Sequence, residues 1–106
     1  MKLLTEDLKK SLPSLDEMRD DPDPMVHAKF FTPDAHWTWY IVAFDGKDIF
    51  HGFVDGDFPE AGDFALSELE SIRGPLGLKV ERDKYFVPKP LSKIRSEVYR
   101  NRGWKR

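Results

Sequence analysis

At 106 residues the chain has the length of one domain, and 40% hydrophobic with 13% aromatic content supplies a core while excluding a disordered chain. The absence of cysteine excludes disulfides, thiolate metal sites and cysteine nucleophiles. The net charge of −2 is unevenly spread: residues 26–90 carry 7 basic and 11 acidic side chains, whereas residues 91–106 carry 6 and 1. An acidic body therefore runs into a basic C-terminal helix or tail at about 91–106.

The opening Met1–Lys10 holds two adjacent leucines before charge returns, short of the about 7–15 apolar residues of a secretory leader. No stretch approaches the roughly 20 apolar residues of a membrane span. The expectation is a single cytoplasmic domain over 1–106 with no membrane partner.

In chain order, Thr5 reads as an N-cap with Glu6 and Asp7 in the first turn, where carboxylates favour the positive helix end. Leu4, Leu8 and Leu12 form an apolar stripe, and Pro13 stops the helix, which spans about 5–12. The segment Asp16–Pro24, with five acids and two prolines, reads as a loop. Val26–Phe31 reads as one strand with Val26, Ala28 and Phe30 on one face, followed by a turn at Thr32–His36.

Trp37–Phe44 is the clearest strand, rich in aromatic and β-branched residues. Trp37, Trp39 and Ile41 face one way, Thr38, Tyr40 and Val42 the other. Both faces are apolar, which places the strand centrally. Asp45-Gly46-Lys47-Asp48 predicts a hairpin turn, with Ile49–Val54 as the returning strand. After a loop over Asp55–Gly62, Asp63–Leu66 reads as a short third strand.

Ser67-Glu68-Leu69-Glu70 matches a capping box, so Ser67→Ala is expected to cost about 1 kcal/mol. Gly74 is expected in the left-handed position that ends this helix, with Pro75 blocking its continuation. Leu76–Val80 and Tyr85–Val87 read as short extended segments. A last helix starts near Ser92, with Leu91, Ile94 and Val98 as its apolar face. Gly103 stands at its end, and Trp104 follows, where a hydrophobic residue folds back on the last turn.

Motifs for specific chemistry are sparse. His27, His36 and His51 lie 9 and 15 residues apart, a spacing that matches no local metal signature, and no metal or other cofactor is expected. Asp55-Gly56-Asp57 opens like a calcium loop, but Pro59, Glu60 and Leu66 occupy positions that pattern reserves for other residues. Gly74-Pro75-Leu76-Gly77 lacks the Lys-Ser/Thr of a phosphate loop. No Gly-x-Ser-x-Gly elbow and no nucleophile beside a base is legible, so no catalytic residue is assigned.

Two surfaces remain. Lys93, Arg95, Arg100, Arg102, Lys105 and Arg106, with Trp104, could hold phosphates and stack on bases, although basic residues at a helix C-terminus also suit its dipole. The aromatic strand residues Trp37, Trp39 and Tyr40 are the candidate partner-binding residues. They are expected under or beside a sheet face that too few helices can cover, with at least one tryptophan in the core.

Several segments taken together resemble one bacterial family, the domain-of-unknown-function 2958 proteins. They are the N-terminal KLLTEDL, Lys29-Phe30-Phe31-Thr32-Pro33, Trp37-Thr38-Trp39-Tyr40, Ser67-Glu68-Leu69-Glu70 with Gly74-Pro75, and Glu81-Arg82-Asp83-Lys84-Tyr85-Phe86-x-Pro88. The resemblance covers about residues 1–95. It implies a short cytoplasmic protein of plasmids and integrative elements and assigns no activity, substrate or catalytic residue. Gly56–Gly62 departs from the family version, which has a histidine after the first glycine.

The fold expected is α+β, a small, mainly antiparallel sheet of 3–5 strands with about three helices. The first functional reading is an accessory protein of a mobile element that binds a protein partner or forms a homodimer. The second is a nucleic-acid-binding accessory using the basic tail. The third is a hydrolase with a carboxylate/histidine site in the acidic loops.

Overall fold

A computed structural model describes residues 2–103. Its centre is a five-stranded antiparallel sheet of β2 (Ala28–Phe31), β3 (Thr38–Phe44), β4 (Ile49–Asp55), β5 (Pro59–Ala65) and β6 (Glu81–Arg82), in the spatial order β5-β4-β3-β2-β6. A second, two-stranded sheet pairs β1 (Met25–Val26) with β7 (Lys89–Pro90). Among the described residues four helices complete the α+β fold: α1 (Glu6–Ser11), α2 (Leu15–Arg19), α3 (Leu66–Ser71) and α4 (Leu91–Asn101). None is long and apolar enough to cross a membrane.

The expected local signals hold at several places. Thr5 caps α1 by accepting the Leu8 N–H at 3.2 Å, and Leu12 ahead of Pro13 turns extended. Asp45 shapes the β3–β4 hairpin, its carboxylate accepting the N–H groups of Lys47, Asp48 and Ile49, and Gly46 takes φ +88°. Gly103 ends α4 at φ +76°, its N–H donating to Arg100 O.

The sheet is covered on both faces, so the expected uncovered face does not exist. On one side Ala28, Phe30, Trp39, Ile41, Phe44, Phe50 and Phe64 pack with Leu3, Leu4 and Leu69. On the other, Val42, Ala43 and Phe53 pack with Val26 and with Ile94 and Val98 of α4, helped by Leu15 and Met18 of α2. A bulge in β3 between Ile41 and Ala43 puts Val42 and Ala43 in the same core and returns Phe44 to the side of Trp39 and Ile41.

Four local expectations are corrected. Val26 and Ala28 do not share a face: the chain breaks at His27, whose N–H still bonds Ile41 O, and β1 leaves the main sheet to pair with β7. The third meander strand begins at Pro59 rather than Asp63, because an edge strand tolerates proline and small residues that a central one would not. The acidic segment after Pro13 is not all loop. Ser14 and Glu17 form the reciprocal capping box, with Glu17 N–H on Ser14 Oγ at 3.1 Å and Ser14 N–H on Glu17 Oε1 at 3.2 Å, and α2 follows. Gly74 is not left-handed. Instead α3 ends in extended Ile72, and a Cβ on Gly74 would stand 1.7 Å from Asp34 Oδ1.

The capping box assigned to Ser67 and Glu70 is also absent. Helix α3 starts one residue earlier, with Ala65 in the cap position, and its free N–H groups are met by Asp48 from the hairpin turn. Asp48 Oδ1 accepts Ser67 N–H at 2.9 Å, Oδ2 accepts Ser67 Oγ–H at 2.6 Å, and Asp48 O accepts Leu66 N–H at 2.7 Å. Helix α4 repeats the device: Asp23 Oδ1 and Oδ2 accept the N–H and Oγ–H of Ser92 at 2.9 and 2.7 Å, and Pro24 O accepts Leu91 N–H. The Ser92 hydroxyl, then its N–H, holds the Asp23 carboxyl below its ordinary pKa. Asp48→Ala is therefore expected to cost about 1 kcal/mol in urea unfolding, and Glu70→Ala almost nothing. Equal losses from the two would restore the box.

Candidate functional site

The turn joining β2 to β3 gathers the features that stand out chemically. It is closed by Thr32, which is buried. Its N–H bonds Trp37 O at 3.0 Å, and its Oγ1 accepts Trp37 N–H at 3.0 Å. Three ties hold the turn to distant segments. Asp34 Oδ2 accepts Leu76 N–H at 2.7 Å, an approach that Gly74 permits by lacking a Cβ. His36 Nε2 lies 3.0 Å from Asp57 Oδ1 in the β4–β5 turn. The Trp37 ring lies against Gly56, where a Cβ would come within 2.3 Å of it, and stacks on Trp39 with centroids 6.0 Å apart.

Two grooves flank this turn. The larger, about 600 Å³, is floored by Phe31 and Thr38, with His36 and Trp37 on one side and the Glu81–Tyr85 segment on the other. The smaller, about 390 Å³, lies between the turn and the end of α3, lined by Ala35, Trp37, Trp39, Ile72 and Pro75 with Glu68 and Arg73. Thr32, Ala35 and Trp37 line both. The lining on that side ends at Tyr85, where the chain leaves the groove. Phe86 turns inward onto Tyr40, so its neighbours Tyr85 and Val87 point out, 91% and 70% exposed. Leu76, 79% exposed, stands on the loop anchored by Asp34. Burial, with Asp55 and Glu97 adding their charge, pushes the Tyr40 phenol up to about 12, so it stays a neutral packing group.

The candidate partner residues thus part company. Trp37 is half-buried and lines both grooves. Trp39 is 5% exposed and belongs to the core, although one edge reaches the smaller groove. Tyr40 is half-buried under Phe86. Tyr85 and Val87 were legible only as an extended segment; alternation in it means that a single inward ring leaves its two neighbours outward.

Of the basic residues assigned to nucleic acid, Lys93, Arg95 and Arg100 are exposed, and the Arg95 guanidinium sits 5.7 Å over the Phe53 ring. Trp104, Lys105 and Arg106 lie outside the described residues. Arg102 is committed to the fold: it pairs with Asp55 Oδ1 at 2.6 Å and donates to Asp57 O and Gly56 O, tying α4 to the β4–β5 turn. Arg102→Ala is expected to lower stability by about 2 kcal/mol, below a fully buried pair because a quarter of each side chain is exposed. A denaturant midpoint unchanged by this substitution would show the clamp to be dispensable.

Two histidines lie beside carboxylates, His36 with Asp57 from turn to turn and His51 Nδ1 with Asp63 Oδ1 at 2.6 Å as a cross-strand pair of β4 and β5 rather than in an acidic loop. The third, His27, stands apart, and burial holds its imidazole below the ordinary pKa. Among the described residues no serine or threonine hydroxyl bonds a histidine, and no three His, Asp or Glu side chains are grouped to hold a metal.

The fold and this end surface define a small α+β domain with paired, solvent-open grooves around a tryptophan-bearing turn. The family model described as "Protein of unknown function (DUF2958)" matches residues 3–101, and the chain belongs to that family. The match runs past residue 95 into α4, further than the segments quoted from the sequence alone. No curated protein and no solved structure matches the chain.

Proposed function

We propose that the protein is a small accessory protein that binds a protein partner across the larger groove, with Trp37 and Tyr85 as its contact residues. The mobile-element setting is what the family resemblance implies. The observation that carries the reading is the near-complete exposure of Tyr85 at the edge of a groove lined by Phe31, with Val87 exposed two residues further on. Exposed aromatic surface next to a concavity is the composition of protein interfaces, where tyrosine and tryptophan supply most of the binding energy. A protein suits the groove better than a polyanion because its lip alternates sign: Glu81 and Asp83 interleave with Arg82 and Lys84. Three segments that carry the family resemblance, around Lys29–Pro33, Trp37–Tyr40 and Glu81–Phe86, meet here.

A photo-crosslinking residue at position 85, with position 47 at the opposite end of β3 as control, tests this in host cells. A discrete protein adduct is expected from position 85 only, and Val87→Asp should suppress it. Identical adducts from both positions, or none from 85, would overturn the reading. A nuclease-sensitive adduct would transfer the groove to nucleic acid.

A further inference from the structure

The smaller groove differs in chemistry from the larger. Its walls are largely apolar, formed by the half-buried Trp37 indole, an edge of Trp39, Ile72 and Pro75. Its volume of about 390 Å³ suits one large side chain or a small ligand rather than a segment of chain. The polar groups at its rim are mostly spent. Thr32 is bonded to Trp37, and Arg73 is folded back on the end of α3, its Nη1 donating to Glu70 O and Ile72 O at 2.9 Å each. The Glu68 carboxylate has no hydrogen-bond or ion-pair partner among the described residues.

We infer that this groove receives an arginine side chain of the bound partner, with the guanidinium against the Trp37 indole and paired to the Glu68 carboxylate. The inference rests on the protein-binding reading and names the partner's chemistry at the adjoining groove. Indole rings attract cations through their quadrupole, most strongly where water is excluded, and a carboxylate at the mouth supplies the counter-charge. Guanidinium fits better than ammonium for two reasons. It is planar and weakly hydrated, so it loses less on entering an aromatic slot, and its forked N–H groups match a carboxylate two-to-two. The Arg73 charge is weakened toward a cation in the groove, because the side chain is exposed to water and its Nη1 sits on carbonyls at the negative end of α3.

The test uses the full chain carrying Trp104→Phe, which leaves Trp37 and Trp39 as the only indoles of the three in the sequence. Their fluorescence is followed on titration with N-acetyl-arginine amide, N-acetyl-lysine amide and the neutral isostere N-acetyl-citrulline amide. A saturable change is expected with arginine, about tenfold weaker with citrulline for loss of the charge-assisted pair. Glu68→Gln should bring arginine down to the citrulline level while far-UV dichroism and melting stay unchanged. A flat response, equal affinity for arginine and citrulline, or an undiminished response in Glu68→Gln overturns the assignment. Lysine binding as tightly as arginine overturns the guanidinium. Each of these results leaves the position-85 crosslink free to stand, so failure here is distinct from failure of the protein-binding reading.

Discussion

Phe50→Ala should lower unfolding free energy by about 3–5 kcal/mol, the range for removing a fully buried ring. Phe50 is fully buried near the start of β4, and three other rings meet on it: Phe44 at 4.8 Å between centroids, Phe30 at 5.8 Å edge-on and Phe64 at 5.9 Å. These three come from β3, β2 and β5, so one truncation opens a void touching four adjacent strands. Strands held in a hydrogen-bonded ladder cannot collapse into that void without breaking pairing, which puts the cost toward the upper end. A domain of this size has only about 5–15 kcal/mol in total. Phe50→Leu, which refills most of the space, should recover half or more of the loss. Urea unfolding followed by near-UV dichroism reads both, and a Phe50→Ala loss below about 1.5 kcal/mol would mean the ring cluster is not the structural centre.

Gly52→Ala should cost about 3 kcal/mol, the upper part of the range for overpacking. Gly52 is buried in β4 opposite Ile41, immediately before the β3 bulge. A Cβ there would sit 2.0 Å from Tyr40 O and 3.0 Å from Tyr40 C, both main-chain atoms of the central strand. A clash with a side-chain tip is relieved by a rotamer change, but a clash with a carbonyl in a ladder is relieved only by moving the strand. Its cross-strand partner Gly62, in edge strand β5, provides the internal control: a Cβ there meets nothing within 4 Å, so Gly62→Ala should be neutral or slightly stabilising. Equal thermal shifts for the two alanines would refute the steric account.

Several features of the fold are local. The Asp45-Gly46 hairpin, the stop at Pro13, the left-handed Gly103 and the Ile94–Val98 face of α4 depend on residues within a turn of one another, and all are legible without coordinates. The two-sided burial of β3 is legible for the same reason, since strand periodicity needs no partner to be seen. The split at His27 is not legible, because it depends on β7, some sixty residues away, competing for β1. Nor is the fate of Tyr85, Phe86 and Val87: any of the three could turn inward, and the Tyr40 ring across the fold selects Phe86.

The paired Ser-x-x-Glu segments mark the boundary between the two kinds of information. Ser14–Glu17 and Ser67–Glu70 are the same pattern, and a local rule gives both the same box. The first forms it, with Ser14 and Glu17 satisfying each other's backbone N–H groups at the start of α2. At the second, the hairpin brings Asp48 to the helix start, and a carboxylate outcompetes a hydroxyl for those donors, so Ser67 becomes a ligand of the cap rather than the cap. By itself the sequence determined that a helix starts near Ser67, whereas the run of acids and prolines after Ser14 read as loop and hid the start of α2. The tertiary structure decided which atoms cap the helix at Ser67, and likewise which aromatic residues reach the surface, because both outcomes turn on groups brought together only by the closed sheet.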